Sequence, residues 1–317
     1  MKGTWVRSGL LGVTAAALLL GACSPKTSVR REDTMSATET VKVKTKFTGP
    51  KRRIGVVDFE NKSAYAQARI GTAASDILIT ELAKTGKFVL VERDQISKIM
   101  DEQKLQASGA IDPRTAVQVG KILGLNAIVT GAVSQFGVNT GGSEYLLVQS
   151  KRQTAEATVD IRLVDTETGQ VLYADSGTGV AKSSKGSVLG LGTKGGYDET
   201  LEGKALRAAI VQFTDNIVNQ VNKKPWSCRI AAVRDDLVYL NAGPNMGVEK
   251  GLELECFHLG KPILDPTTGL ALGNEEVSIG KVEVSGPLGD TGEGAIAKLT
   301  KRLGVSPAAN DICRIAD

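Results

Sequence analysis

Cys23 is the residue whose setting carries the most specific chemistry. It closes the run Leu20-Gly21-Ala22-Cys23, with small residues where a signal peptidase cuts and a thiol directly after the cut. That is the form of a bacterial lipobox. The thiol would take a diacylglycerol and the freed amine a third acyl chain. At roughly 0.8 kcal/mol per buried methylene, such an anchor is close to permanent. Lys2 and Arg7 supply a positive leader, and Leu10 to Leu20 an apolar core too short for a membrane-spanning helix. The competing reading is an ordinary secretory signal with a coincidental Cys. Ser24, in place of an Asp that would favour the inner membrane, points to the outer membrane of a two-membrane cell. Residues 1–22 are thus expected to be removed. The remaining chain begins at Cys23 and sits on the periplasmic face of that membrane.

The other reactive side chains make no familiar centre. His258 is the only histidine in 317 residues, which removes two-His metal sites and a His base with a His partner. Its place two residues from Cys256 is read as incidental. Gly190-Leu191-Gly192-Thr193-Lys194-Gly195 matches GxGxxG as letters, but the helix that follows starts too late for a dinucleotide turn. Asp235-Asp236 and Glu275-Glu276 are adjacent, and neighbours on a strand point to opposite faces. We therefore expect no catalytic residue, no cofactor, no metal and no enzyme activity. With 39 basic and 35 acidic residues the net charge is +4, so nucleic acid is not an expected partner. Cys228, Cys256 and Cys313 would meet an oxidising compartment. A Cys228–Cys313 bridge would join the first and last strands of the tail and close a loop of about 84 residues, stabilising by roughly 4 kcal/mol. Three buried free thiols are the alternative.

Around these residues the chain divides into four parts. Residues 23–53 are polar and basic, too poor in apolar content to form a core, and read as a tether. Residues 54–222 read as α/β. Ile54 to Phe59 is a β-rich run, followed by the polar loop Glu60 to Gln67. Ile70, Ala74, Ile77, Leu78 and Leu82 recur at helical spacing, with Gly86 where a left-handed stop belongs. Phe88 to Val91 is a second strand, Asp94 can cap a second helix, and Asp112-Pro113 opens a third. Two extended β-hairpins follow, 131–163 and 171–197. Ala155, Ala157, Val159, Ile161 and Leu163 alternate with polar residues, a half-buried strand. A helix from about Asp198 to Val221 ends the domain, giving a three-layer α+β architecture. Residues 226–317 carry short strands and Gly/Pro/Asn turns, and read as a small all-β, barrel-like domain. The charge is −3 from Lys224 onward and +7 before it, so the tail is expected to face the periplasm or a partner.

The order of these motifs resembles the curli production assembly/transport component family (CsgG/HfaB) over roughly residues 20–222. The resemblance rests on the lipobox, IGVVDFEN, FVLVERDQISKIMDEQ, LGLNAIVTGAV and ATVDIRLVDTETGQVLYADSGTG. It implies a lipid-anchored outer-membrane protein that forms a homo-oligomeric ring, each copy lending two hairpins to a shared barrel. Secreted fibre subunits would pass a waist built by the loop after the first strand, where Tyr65 with Asn61 is the candidate constriction. The hairpins here carry few apolar outward positions, and Tyr145, Tyr173 and Tyr197 are the only candidates for an interfacial belt. The alternative is a non-pore periplasmic scaffold, with periplasmic assembly factors as partners of a flagellum, a pilus or a cell-wall synthase. The strand–NAGPNMGVEKGLELE–IGKVEV order of the tail is loosely similar to the C-terminal domain of the T-type flagellar assembly protein.

Overall fold

The structure is a computed structural model and describes residues 49–65, 69–91, 93–102, 118–120, 122–145, 148–188, 191–192, 200–267 and 271–316. Cys23, the signal segment, most of the tether and the Asp112-Pro113 helix start lie outside these residues.

A mixed sheet forms the first domain. β1 (Arg52–Val56) lies between β3 (Phe88–Val91) and β4 (Ala127–Tyr145), parallel to both. β4, β5 (Val148–Asp165), β6 (Val171–Val188) and β7 (Leu191–Gly192) continue it as antiparallel neighbours, and β2 (Glu60–Asn61) adds to β4 beyond the end of β1. The alternation seen in β5 decides which face is buried. Ala155, Ala157, Val159, Ile161 and Leu163 are all in the core, against α1 (Arg69–Thr85) and α3 (Thr200–Asn222). On the opposite face, Ile96 of α2 (Arg93–Glu102) joins Val119, Leu125, Ile128 and Val164 in a smaller core. Two faces covered at the β1 end give three layers there. Gly86 and Gly124 both take left-handed φ, +65° and +62°, as helix stops do.

Gly177 and Gly179 of β6 let α3 lie directly on the strand. A Cβ on Gly179 would sit 2.1 Å from the Ala205 carbonyl oxygen, and one on Gly177 would sit 2.2 Å from that of Ala209. With the glycines in place, Leu206, Ile210, Phe213 and Ile217 of α3 reach full burial.

The second domain is a closed barrel in the order β10-β11-β12-β9-β8-β13. Its strands are β8 (Ser227–Arg234), β9 (Leu237–Leu240), β10 (Glu253–Leu264), β11 (Ala271–Leu288), β12 (Gly294–Arg302) and β13 (Ile312–Ile315). Inward residues include Ile230, Val238, Leu254, Val282 and Ala297. β10 and β11 run past the barrel as an arm, paired as far as Leu264 with Ala271. The arm is exposed on both faces, so burial imposes no alternation on its sequence.

The tether ends earlier than its charge implied. Arg52 belongs to β1 and is buried. Lys51 donates its backbone N–H to the Met246 carbonyl at 2.6 Å and accepts from Trp226 Nε1 at 3.1 Å. A run of basic residues was the only signal available, yet the barrel packs on them.

Candidate functional site

Three features gather the chemistry-bearing residues. The first is the pair of hairpins. β6 follows β5 in register from Val171 opposite Val164 to Val188 opposite Val148, so the two hairpins are one three-stranded arm. Its register allows a test of lipid contact. One face of β5 runs Arg152, Thr154, Glu156, Thr158, Asp160, Arg162 and is polar throughout. The other is apolar from Ala155 to Leu163, where the helices cover it, and continues through the buried Gln153 to Lys151. Lys151 stands directly opposite Lys185. A lipid-facing strand needs apolar residues at every second position for about 9–11 residues. Neither face of β5 offers that outside the helix-covered core. Of the belt candidates, Tyr197 lies outside the described residues, as does the side chain of Tyr145. Tyr173 is half-buried and donates its hydroxyl to Asp175, with its pKa pushed up to about 12 by burial and by that carboxylate. Most of the GxGxxG string also falls outside the description.

The second feature is the loop after β1. It sets Tyr65 against the first domain's core and Asn61 within the loop's own turn. The Tyr65 ring packs on Phe136 at 4.8 Å between centroids, and its hydroxyl donates to Glu202 Oε1 at 2.8 Å. Asn61 Nδ2 donates to the Tyr65 carbonyl at 2.8 Å, and its Oδ1 accepts from the Ser63 N–H and hydroxyl. Within the single chain, Tyr65 is engaged on the core and Asn61 on the loop's own turn. An aromatic in a polar loop reads as free to project until the partner on α3 is known.

The third feature is the barrel and its junction with the first domain. The bridge is Cys256–Cys313, and Cys228 is a buried free thiol; this corrects the Cys228–Cys313 pairing. The reason is strand order. β13 lies between β8 and β10, so Cys313 faces Cys228 on one side and Cys256 on the other. In antiparallel sheet a residue makes its hydrogen bonds to one neighbour and comes closer to the other. The Cα separation of Cys256 and Cys313 is 4.0 Å, that of the closer, non-hydrogen-bonded kind. Burial pushes the Cys228 thiol up to about 12. His258 Nδ1 is 2.8 Å from Asp311 Oδ1, a structural pair on the barrel. Glu276 takes Arg314 bidentately at 2.6 and 2.7 Å, and Asp235 and Asp236 are exposed turn residues. Among the described residues no group of three or more potential ligands is set to hold a metal.

At the junction itself, a cavity of about 160 Å³ is lined by Arg52, Lys224, Arg314, Asn126, Ser227 and Glu167. Arg52 donates to the carbonyls of Pro225, at 3.1 Å, and of Lys224. Lys224 pairs with the buried Asp165. This cluster escaped sequence reading because its members come from the tether's end, a β-turn, the inter-domain link and the last strand.

The sequence profile of the family described as Curli production assembly/transport component CsgG matches residues 36–243. The chain belongs to the CsgG family. A protein of Neisseria meningitidis serogroup B, whose name classes it with lipoproteins, is 27% identical over 224 residues, covering 68% of this chain and 94% of that protein. Among solved structures, lipoprotein GNA1162 of N. meningitidis has a TM-score of 0.33 at 15% identity, over 55% of this chain and 99% of that one. The PelC dodecamer of Paraburkholderia phytofirmans scores 0.31 at 14% identity, over 53% and 94%. The LpoB C-terminal domain of Escherichia coli scores 0.31 at 19% identity, over 42% and 86%. Family membership agrees with an envelope-lipoprotein role, and among the described residues no helix is long and apolar enough to cross a membrane.

Proposed function

We propose that this CsgG-family chain is a lipoprotein anchored through Cys23 to the periplasmic face of the outer membrane. There it works as a homo-oligomeric, non-pore scaffold that holds assembly factors of an envelope machine. The observation that carries the non-pore reading is the arm: the outward face of β5 is polar from Arg152 to Arg162, and further out Lys151 is in register with Lys185. Such a surface suits protein and water rather than acyl chains. Self-association is supported by the far edge of β6. Among the described residues this edge pairs with a strand only at Ser187 and Val188, and elsewhere Gln212 of α3 caps Thr178. An open edge is a template for another chain.

A curli-type export ring is the second reading. It is favoured by the family match and by strands of 18 residues, about 60 Å at the usual rise, long enough to cross a bilayer. Single-channel recording with lipidated protein in detergent separates the two. The scaffold reading expects no conductance together with a discrete oligomer by mass photometry. Stable conductance steps that vanish when residues 143–153 are deleted would overturn it. Labelling with a palmitate analogue, lost in Cys23→Ala, tests the anchor separately.

A further inference from the structure

The cavity between the two domains holds a charge that no described residue balances. Arg52 is only 7% exposed. Two of its guanidinium nitrogens are used on the Pro225 and Lys224 carbonyls, and its Nε is buried with no hydrogen-bond partner. Carbonyl oxygens satisfy donors but carry no full negative charge. The other cations of the wall have their own counter-ions, Asp165 for Lys224 and Glu276 for Arg314. Arg52 has none among the described residues. An unpaired charge taken out of water is costly.

We propose that this cavity binds one small oxyanion, a carboxylate or a phosphate group, through Arg52, Lys224 and Arg314. The volume has room for about five waters at their liquid volume, and so for one such group with part of its hydration. An oxyanion beside the Arg52 guanidinium supplies the missing negative charge, and Asn126 and Ser227 add polar wall. The electrostatics agree: burial, then the Arg314 and Arg52 charges, hold the Lys224 ammonium below its ordinary range, as in a positively charged recess. Glu167 is the one carboxylate on the wall, and it lies 4.0 Å from Arg229 outside the cavity. The site sits on the link between the domains, where Arg52 already clasps Lys224 and Pro225, so the anion would fix the barrel against the sheet.

The test uses the full mature chain with Cys23→Ala, in chloride buffer at constant ionic strength, titrated calorimetrically with inorganic phosphate and with acetate. Saturable one-to-one binding by phosphate or acetate is expected. At ten times Kd, the anion should raise Tm by about 3–5 °C. Arg314→Met should weaken binding at least about tenfold. Glu167→Gln, which removes the opposing charge from a half-exposed position, should tighten it about threefold or more. This second variant moves opposite to any loss of fold. Glycerol 3-phosphate, compared with inorganic phosphate, tells whether the group enters when carried on a larger molecule or only as a free ion; binding of either supports the site. No heat beyond chloride controls, or equal affinities in wild type, Arg314→Met and Glu167→Gln, would overturn the proposal.

Discussion

Replacing Cys256 by Ala should destabilise the barrel by about 4 kcal/mol. The bridge joins residues 57 apart, and in the chain-entropy model a loop of that length removes roughly 14 cal/mol/K from the unfolded ensemble. At 25 °C this is about 4 kcal/mol, before any cost of the space left by the second sulfur. Trp226 is buried at the domain junction and is the only Trp after the expected cut site, so its fluorescence reports this transition. For a unit of this size the urea m-value is about 1–1.5 kcal/mol/M, which turns the loss into a midpoint shift of about 3 M. Cys228→Ala is the control. It removes a buried thiol but no cross-link, and should cost about 1 kcal/mol. Thiol counting on denatured, oxidised protein carrying Cys23→Ala should give one reactive group. A count of three, or a Cys256→Ala loss below about 1 kcal/mol, would refute the assigned bridge and the strand order behind it.

Gly179→Val should cost at least about 3 kcal/mol, measured by thermal unfolding, because its Cβ would meet the Ala205 carbonyl and Ala209 nitrogen of α3 at 2.1 and 2.5 Å. Asp165→Asn should cost about 3 kcal/mol in urea, since it leaves Lys224 without its counter-charge and weakens the carboxylate that accepts from the Glu167 and Thr168 N–H groups. Tyr65→Phe should cost about 1 kcal/mol by losing the hydrogen bond to Glu202 while keeping the ring on Phe136, and should leave oligomer mass unchanged. The folded Cys228 thiol titrates near 12 and the unfolded one near 9, so unfolding releases a proton between those values. Stability is therefore full below pH 9 and falls by about 1.4 kcal/mol per pH unit above it, a slope that urea unfolding at pH 9 and 10 should find absent in Cys228→Ala.

Sequence reading succeeded where one face of an element is buried by its own neighbours. The Ala155 to Leu163 alternation gave the inward face of β5. Gly86 signalled its stop because a left-handed residue leaves a compositional mark. It failed where the deciding fact was a partner far along the chain. Arg52 looked like tether until Lys224 and Pro225 closed on it, and Tyr65 looked like a projecting loop residue until Glu202 met it. The Ser/Gly/Lys stretch of β6 has no pattern of its own, and it is strand because β5 templates it. The disulfide needed the strand order, since Cys228 and Cys256 are equally good neighbours of Cys313 by spacing alone.

The way the chain enters the fold has a mechanical consequence. Everything before Gly49 joins the protein through Pro50 and Lys51, and from there directly into β1, which lies between β3 and β4 and runs parallel to both. A pull on that segment acts along the axis of β1, so the hydrogen bonds to both neighbouring strands are loaded together in shear. Before that load reaches the strand, it must break the Lys51 bonds to Met246 and Trp226 and the Arg52 clasp on the Lys224 and Pro225 carbonyls. With the proposed anchor at Cys23, the barrel serves as a strain relief at the point where the chain is tugged. Without it, traction would fall first on β1 itself.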